Sequence, residues 1–295
     1  MELRLRRHLT VSQLASSGHR HLSAASGLVV VGSKFYIIGD DEVCLAIFPE
    51  SDLPGEMVRL LPRQLPRDPA ERKAAKPDFE TLLRLPPLES NSGPTLLALG
   101  SGSTDRRCSG VMISLDADGD VGGARRLDMK PLFQAIAKEV EEVNIEGAVV
   151  QGSHMLLFNR GNTSHPENAV LTVGLAPVLN GGTVEVLTST RLRLPQVAGV
   201  PLSITDACSL DDNSLVVSAV AEDTADAYAD GKLVGAAFGV LDQELKLIRL
   251  DALPDPIKIE GIHAWRSAHA ISFLAVSDAD DPSKPGCLVE GSISG

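Results

Sequence analysis

The chain has 295 residues, 43% of them hydrophobic and 22% charged, an ordinary globular composition with material for a sizeable core. Its net charge of −12 is spread along the sequence without a basic stripe, which argues against nucleic acid or an anionic membrane as partner. No apolar run approaches the roughly 18–20 residues of a membrane span. The start, Met1 to Arg7, is charged and has no signal-peptide apolar stretch behind it, so a cytoplasmic protein is expected (periplasmic if the N-terminus has been trimmed).

Leu3 to Leu9 reads as a strand without a partner of its own. Leu28–Val31 and Phe35–Ile38 read as a hairpin about Gly32-Ser33, apolar and β-branched on both sides of a turn pair. Residues 51–77 carry five prolines, and Asp68-Pro69-Ala70-Glu71 has the form of a helix start, so this stretch is expected to be a surface excursion with a helical turn. A second strand pair runs from Phe79-Glu80 to Leu96–Leu99, its turn lengthened over 88–94. Residues 130–143 place Leu132, Phe133, Ile136, Val140 and Val143 at near-helical spacing behind Pro131, which predicts a short helical insertion. Gly147–Val150 and Met155–Phe158 form a third pair about Gln151 to His154. Ile204–Ser209 with Leu215–Val217, and Ile262–Trp265 with Ile271–Val276, complete the series. Gly110–Leu115 and Ala237–Leu241 read as outer strands.

These pairs are copies of one phrase, clearest at Asn144-Ile145-Glu146-Gly147 and Lys258-Ile259-Glu260-Gly261. Its Glu position falls at Ser26, Glu80, Glu146, Thr205 and Glu260, at intervals of 54, 66, 59 and 55 residues, with 61 from Glu260 round to Ser26. Near-even spacing of strand–turn–strand units is the signature of radial repetition. The expected fold is all-β, a single five-bladed β-propeller over 1–295, with six blades as the alternative if 51–77 conceals a degenerate one. Pairing of the Leu3–Leu9 strand with Cys287–Ile293 would close the ring.

In such a blade the first strand lines the central channel. The Glu at its start and the loop after the second strand therefore reach the same end. That geometry gathers Glu80, Glu146 and Glu260 with Asp40, Asn159, Arg160, Asp206 and Asp278, and leaves Arg160 as the one obvious cation. Two readings are open. Packed carboxylates repel, and a calcium ion with six to eight oxygen ligands would relieve them. Alternatively, each Glu is mortar between blades, accepting backbone N–H groups or pairing with Lys258 or Arg160. His263 joins the site only if a bulge separates it from Glu260, since three strand residues otherwise point it to the opposite face.

Cys44, Cys108, Cys208 and Cys287 stand far apart and read as free thiols. Asp116-Ala117-Asp118-Gly119-Asp120 lacks the later positions of a calcium loop and reads as a hairpin turn. Only 3% of residues are aromatic, too few for stacking sugars or single-stranded nucleic acid. No nucleophile elbow, phosphate-cradling loop or HExxH segment is present.

The openings Ile145-Glu146-Gly147 and Ile259-Glu260-Gly261-Ile262, each followed by a strand pair and an Asp/Asn loop, resemble bacterial β-propellers of the phytase-like and SdiA-regulated kind. Residues 76–80, 97–103 and 277–284 resemble an uncharacterised bacterial family of unknown function. The phytase-like resemblance implies calcium and phosphoester or ester hydrolysis, although this chain lacks a Lys/Arg cluster for a polyphosphate. The expected function is therefore a calcium-binding acidic mouth serving a small-molecule or protein ligand, with a metal-dependent hydrolase of a phosphoester, ester or lactone as the alternative. In the hydrolase, Glu146 and Glu260 would hold the metal and Arg160 would steady an anion.

Overall fold

The computed structural model describes residues 1–88, 93–224 and 231–294. It is a five-bladed β-propeller, each blade a four-stranded antiparallel sheet. Counting from the channel outward, blade I is Ala25–Val31, Lys34–Gly39, Cys44–Pro49 and Glu56–Arg59. Blade II is Phe79–Leu85, Thr95–Gly100, Ser109–Leu115 and Val121–Asp128. Blade III is Ile145–Gln151, His154–Asn159, Asn168–Gly174 and Val186–Leu192. Blade IV is Ser203–Ser209, Leu215–Asp223, Lys232–Leu241 and Leu247–Ala252. Blade V is Ile259–Arg266, Ala270–Ser277, Cys287–Ser294 and, outermost, Leu3–His8.

The ring closes as the sequence predicts. The first strand pairs antiparallel with the last, Leu3 opposite Gly291 and His8 opposite Cys287. Innermost strands contact one another in the order I, II, III, IV, V and back to I. Alternate residues of each strand face opposite neighbours, so the apolar core divides into one cluster per blade interface. Val29, Tyr36 and Leu45 meet Leu82, Leu96 and Val111 between blades I and II. Leu28 and Phe35 meet Leu274 and Val276 between V and I.

Helix α1 (Pro69–Ala75) follows blade I, with Asp68 capping it by accepting the Glu71 N–H at 2.9 Å. The stretch 51–77 thus holds both the outermost strand of blade I and α1. Helix α2 (Lys130–Ile136) begins with proline in its first turn and buries Leu132, Phe133 and Ile136 against blades II and III. Val140 and Val143, placed in the same helix by their spacing, lie beyond its end, although Val140 is still buried. Helix α3 (Leu175–Asn180) ends at Gly181 in the left-handed region, φ 70°. The lengthened turn of blade II falls in part on residues 89–92, outside the described residues.

One device recurs five times. Each innermost strand slips register at its first turn, between Ala25 and Gly27, Phe79 and Thr81, Ile145 and Gly147, Ile204 and Asp206, and Ile259 and Gly261. The unpaired residue is Ser26, Glu80, Glu146, Thr205 or Glu260 in turn. A bulge leaves one residue out of the ladder and re-aims its side chain. The repeated phrase is therefore the sequence of a bulge at the channel. Glycine follows it in blades I, III and V because the neighbouring strand passes too close for a Cβ. At Gly147 that atom would stand 3.0 Å from Ala207 N, and at Gly261 it would stand 2.9 Å from Gly27 Cα.

Candidate functional site: the acidic mouth of the channel

The five bulged residues divide by chemistry. Ser26 donates its hydroxyl to the Phe79 carbonyl, and Thr205 donates to the Ile259 carbonyl at 2.6 Å. Each thus bonds to the residue just before the next blade's bulge, which makes these two the mortar between blades. The other three are glutamates, and they converge. Glu80, Glu146 and Glu260 each place a carboxylate oxygen within 4.8 Å of the others, a grouping that could hold a metal ion. A second acidic group, Asp40, Asp78 and Glu80, shares Glu80 with the first.

Above them opens a cavity of about 280 Å³, lined by carboxylates from every blade. Asp40 and Asp41 follow the second strand of blade I, and Glu222 lies near the end of that strand in blade IV. Asp278 and Asp280 follow the second strand of blade V. The shared end for these loops and the bulged glutamates is what the strand geometry requires.

The mouth carries more positive charge than Arg160 alone. Lys258 is buried at 8% side-chain exposure, with its ammonium 2.9 Å from Asp280, 3.3 Å from Asp278, 3.6 Å from Glu222 and 3.7 Å from Glu260. Lys76 pairs with Asp40 and lies 2.8 Å from Asp78, and Arg107 also lies 2.8 Å from Asp78. Arg72 meets Asp41 at 3.1 Å. Arg160 pairs with Glu222 and stands 3.6 Å from Glu146.

The two acidic groups are served unequally. Asp78 has Lys76, Arg107 and the Ser101 hydroxyl at 2.5 Å. Glu146 accepts from Asn144 Nδ2 at 2.6 Å. Among the described residues no hydrogen bond or ion pair reaches the Glu80 carboxylate, and buried Oε1 of Glu260 accepts no hydrogen bond. The electrostatics follow. Burial, then neighbouring negative charge, pushes the Glu80 carboxyl well above the ordinary carboxylate range. Burial does the same to Glu260, opposed by Lys258. Glu146 is also raised by burial, with Arg160 and Lys258 opposing. Asp41 and Asp278 are each pushed up to about 7, burial being the largest cause. Burial opposes the charge of Lys258, but Glu260, Asp278, Glu222 and Asp280 outweigh it and hold the ammonium firmly protonated.

Of the residues singled out from sequence, Glu80, Glu146, Glu260, Asp40, Arg160 and Asp278 line the mouth. Asn159 lies just behind it, accepting the Asn144 N–H at 2.8 Å and donating to the Glu142 carbonyl at 3.1 Å. Asp206 ties blade IV to blade V by accepting the Ile262 N–H at 2.8 Å. His263 lies along the strand beside Trp265, ring centroids 6.0 Å apart, and burial lowers its pKa. The register shift falls at Glu260 itself rather than between it and His263, and His263 does not line the cavity. Sequence reasoning missed Asp78, Lys76, Arg72 and Arg107. A signal existed for Asp78: it stands two residues before Glu80, as Asn144 and Lys258 stand before Glu146 and Glu260, on the same side of the strand.

Over residues 21–293 the sequence matches the family described as Family of unknown function (DUF6929). The chain belongs to this family. No curated protein matches it. Among solved structures, this family member is similar to MPT-4, a mannose phosphorylase from Leishmania mexicana, at 12% identity and TM-score 0.44, covering 97% of this chain and 88% of that one. It is similar to a duf4221 family member from Bacteroides vulgatus at 10% identity and TM-score 0.41, covering 100% and 99%. A mutant Synechocystis apocarotenoid oxygenase is similar at 9% identity and TM-score 0.37, with 91% of this chain covered and 59% of the oxygenase, so this chain spans less than two thirds of that relative. No helix among the described residues is long and apolar enough to cross a membrane.

Proposed function

We propose that the protein is a ligand-binding propeller whose mouth takes a divalent cation, calcium by preference, and beside it a small polar molecule or a protein surface. The observation that carries this reading is the unequal service of the carboxylates. Asp40 and Asp78 have their own lysine, whereas Glu80, Glu146 and Glu260 gather with no protein cation closer than 3.6 Å among the described contacts. An ion with ligands at about 2.3–2.6 Å spans oxygens up to roughly 5 Å apart, which suits calcium and the 4.8 Å grouping. An all-oxygen donor set favours calcium over zinc.

Metal-assisted hydrolysis of a phosphoester, ester or lactone, the activity implied by the phytase-like resemblance, is less well supported. It asks for a cation free to steady an anion near the metal. Arg160 is committed to Glu222 and Glu146, and Lys258 to four carboxylates. A polyanion would meet a mouth in excess of negative charge.

The test is metal analysis and calcium calorimetry on the purified protein, with melting temperatures in calcium and in chelator for wild type and Glu146→Gln. A ligand at a hundred times its Kd stabilises by about 2.7 kcal/mol, so calcium should raise the wild-type melting temperature measurably and the variant's much less. No calcium shift in wild type would remove the reading. A broad hydrolase screen on the calcium-loaded protein separates binding from catalysis.

A further inference from the structure

The mouth gathers more acids than its own cations pair. Among the described residues, ten carboxyl groups line it against six cationic side chains. Three of the ten are incomplete where water does not reach: Asp40, whose Oδ1 accepts no hydrogen bond while Lys76 takes its other oxygen, and two that adjoin Lys258. Glu222 and Glu260 are 6% and 5% exposed, and Oε1 of each accepts no hydrogen bond. Lys258 Nζ stands 3.6 Å from Glu222 Oε1 and 3.7 Å from Glu260 Oε1, outside hydrogen-bonding distance. Lys258 gives its hydrogen bonds to Asp280 and Asp278 instead, at 2.9 and 3.3 Å. The other oxygen of Glu222 is taken by Arg160. Buried carboxylate oxygens without a donor are rare and costly, so a pair of them beside one cavity points to a partner that brings N–H groups.

Three features define that partner. The charge excess selects a cation. The orphaned oxygens select one with hydrogen-bond donors. The mouth also already seats alkylammonium groups, those of Lys76 and Lys258, among carboxylates of the same kind. No aromatic side chain appears among the described lining residues, and a quaternary ammonium depends on such faces.

We propose that the organic ligand of the mouth is a small primary amine or guanidinium compound, its N–H groups completing Glu222 and reaching Glu260 from the Lys258 side. The inference rests on the mouth being a ligand site, and it names the ligand's chemistry beside the divalent cation.

Calorimetric titration with 1,4-diaminobutane, agmatine and choline, each in calcium and in chelator, tests it. The diamine and agmatine should bind saturably, with choline at least about tenfold weaker. Glu222→Gln should weaken the diamine about tenfold or more. Because Glu222 also holds Arg160, the variant's fold is checked by its far-ultraviolet spectrum. The wild-type preference for primary over quaternary amine needs no variant. Equal binding of diamine and choline, no saturable amine binding in either state, or unaltered diamine binding by folded Glu222→Gln each overturns the proposal. Calcium binding without amine binding sinks this inference and spares the metal reading. Amine binding without calcium binding does the reverse.

Discussion

Replacing Lys258 by methionine keeps the length of the side chain and removes the ammonium from among four carboxylates. At an effective dielectric near 20, a pair of unit charges at the 3.3 Å of Lys258–Asp278 is worth about 5 kcal/mol before solvation is counted. Burying the ammonium at 8% exposure takes back several kcal/mol of that. What the variant exposes is therefore the stranded carboxylates, and breaking a buried pair by removing one partner costs about 3–5 kcal/mol. Protonation limits the damage. Asp278, already pushed up to about 7 with Lys258 present, must rise further without it, as must Glu260. Each unit between the pH and a raised pKa is worth about 1.4 kcal/mol. The loss should be near the full 3–5 kcal/mol at about pH 7.5 and less than half of it at about pH 5, where the carboxylates take protons. Urea unfolding of both proteins in chelator at the two pH values measures this. A loss below about 1 kcal/mol at pH 7.5, or equal losses at both, would refute the claim that Lys258 neutralises the mouth.

Wild type itself should lose stability as the pH rises. A carboxyl held near 7 when folded and 3.8 when unfolded keeps its proton in the native state through that window, so Asp41 and Asp278 favour the folded form below about 4 and withdraw that help progressively up to 7. Melting in chelator should be higher near pH 5 than near pH 7.5, with calcium narrowing the gap; a melting temperature climbing over that range contradicts the assignment. Gly147→Ala should cost about 1–3 kcal/mol in urea unfolding, because its Cβ would stand 3.0 Å from Ala207 N and Asp206 Cα; a neutral effect would show that the blades part easily at the channel. Deleting residues 1–8 strips the outermost strand from blade V and bares the edge of Cys287–Ser294. The expected result is a melting temperature lower by about 5–10 °C, with self-association on size-exclusion chromatography. Unchanged melting would mean that the Leu3–His8 pairing contributes little.

Blade count, ring closure and the meeting of Glu80, Glu146 and Glu260 were all legible in the sequence, and the bulges explain why. A bulge at a channel demands a particular residue, often followed by glycine, so selection writes it as a phrase. Had the strands run straight, the five positions would carry only apolar alternation and the repeat would be faint. Ser26 and Thr205 were visible as departures, but not what they do. Only the path of the next blade shows that a hydroxyl there finds a carbonyl to bond.

The cations were harder to see for a reason that bears on function. Lys258, two residues before Glu260, is the exception, named from the sequence as a partner for the glutamates. Lys76 and Arg72 come from α1 and the segment after it, and Arg107 from the short 3₁₀ turn at Asp105–Arg107 that follows the second strand of blade II. None of these obeys the repeat. They cluster on the side of blades I and II, where they neutralise Asp40, Asp41 and Asp78. The repeat thus supplies an acidic ring, and non-repeating segments quench one side of it. Across the channel, Glu146, Glu222 and Glu260 share Arg160 and Lys258, and Glu80 has no ion pair among the described residues. Unsatisfied oxygens stand on both sides of the mouth, Asp40 Oδ1 on one and Oε1 of Glu222 and Glu260 on the other, beside the cavity a ligand would enter.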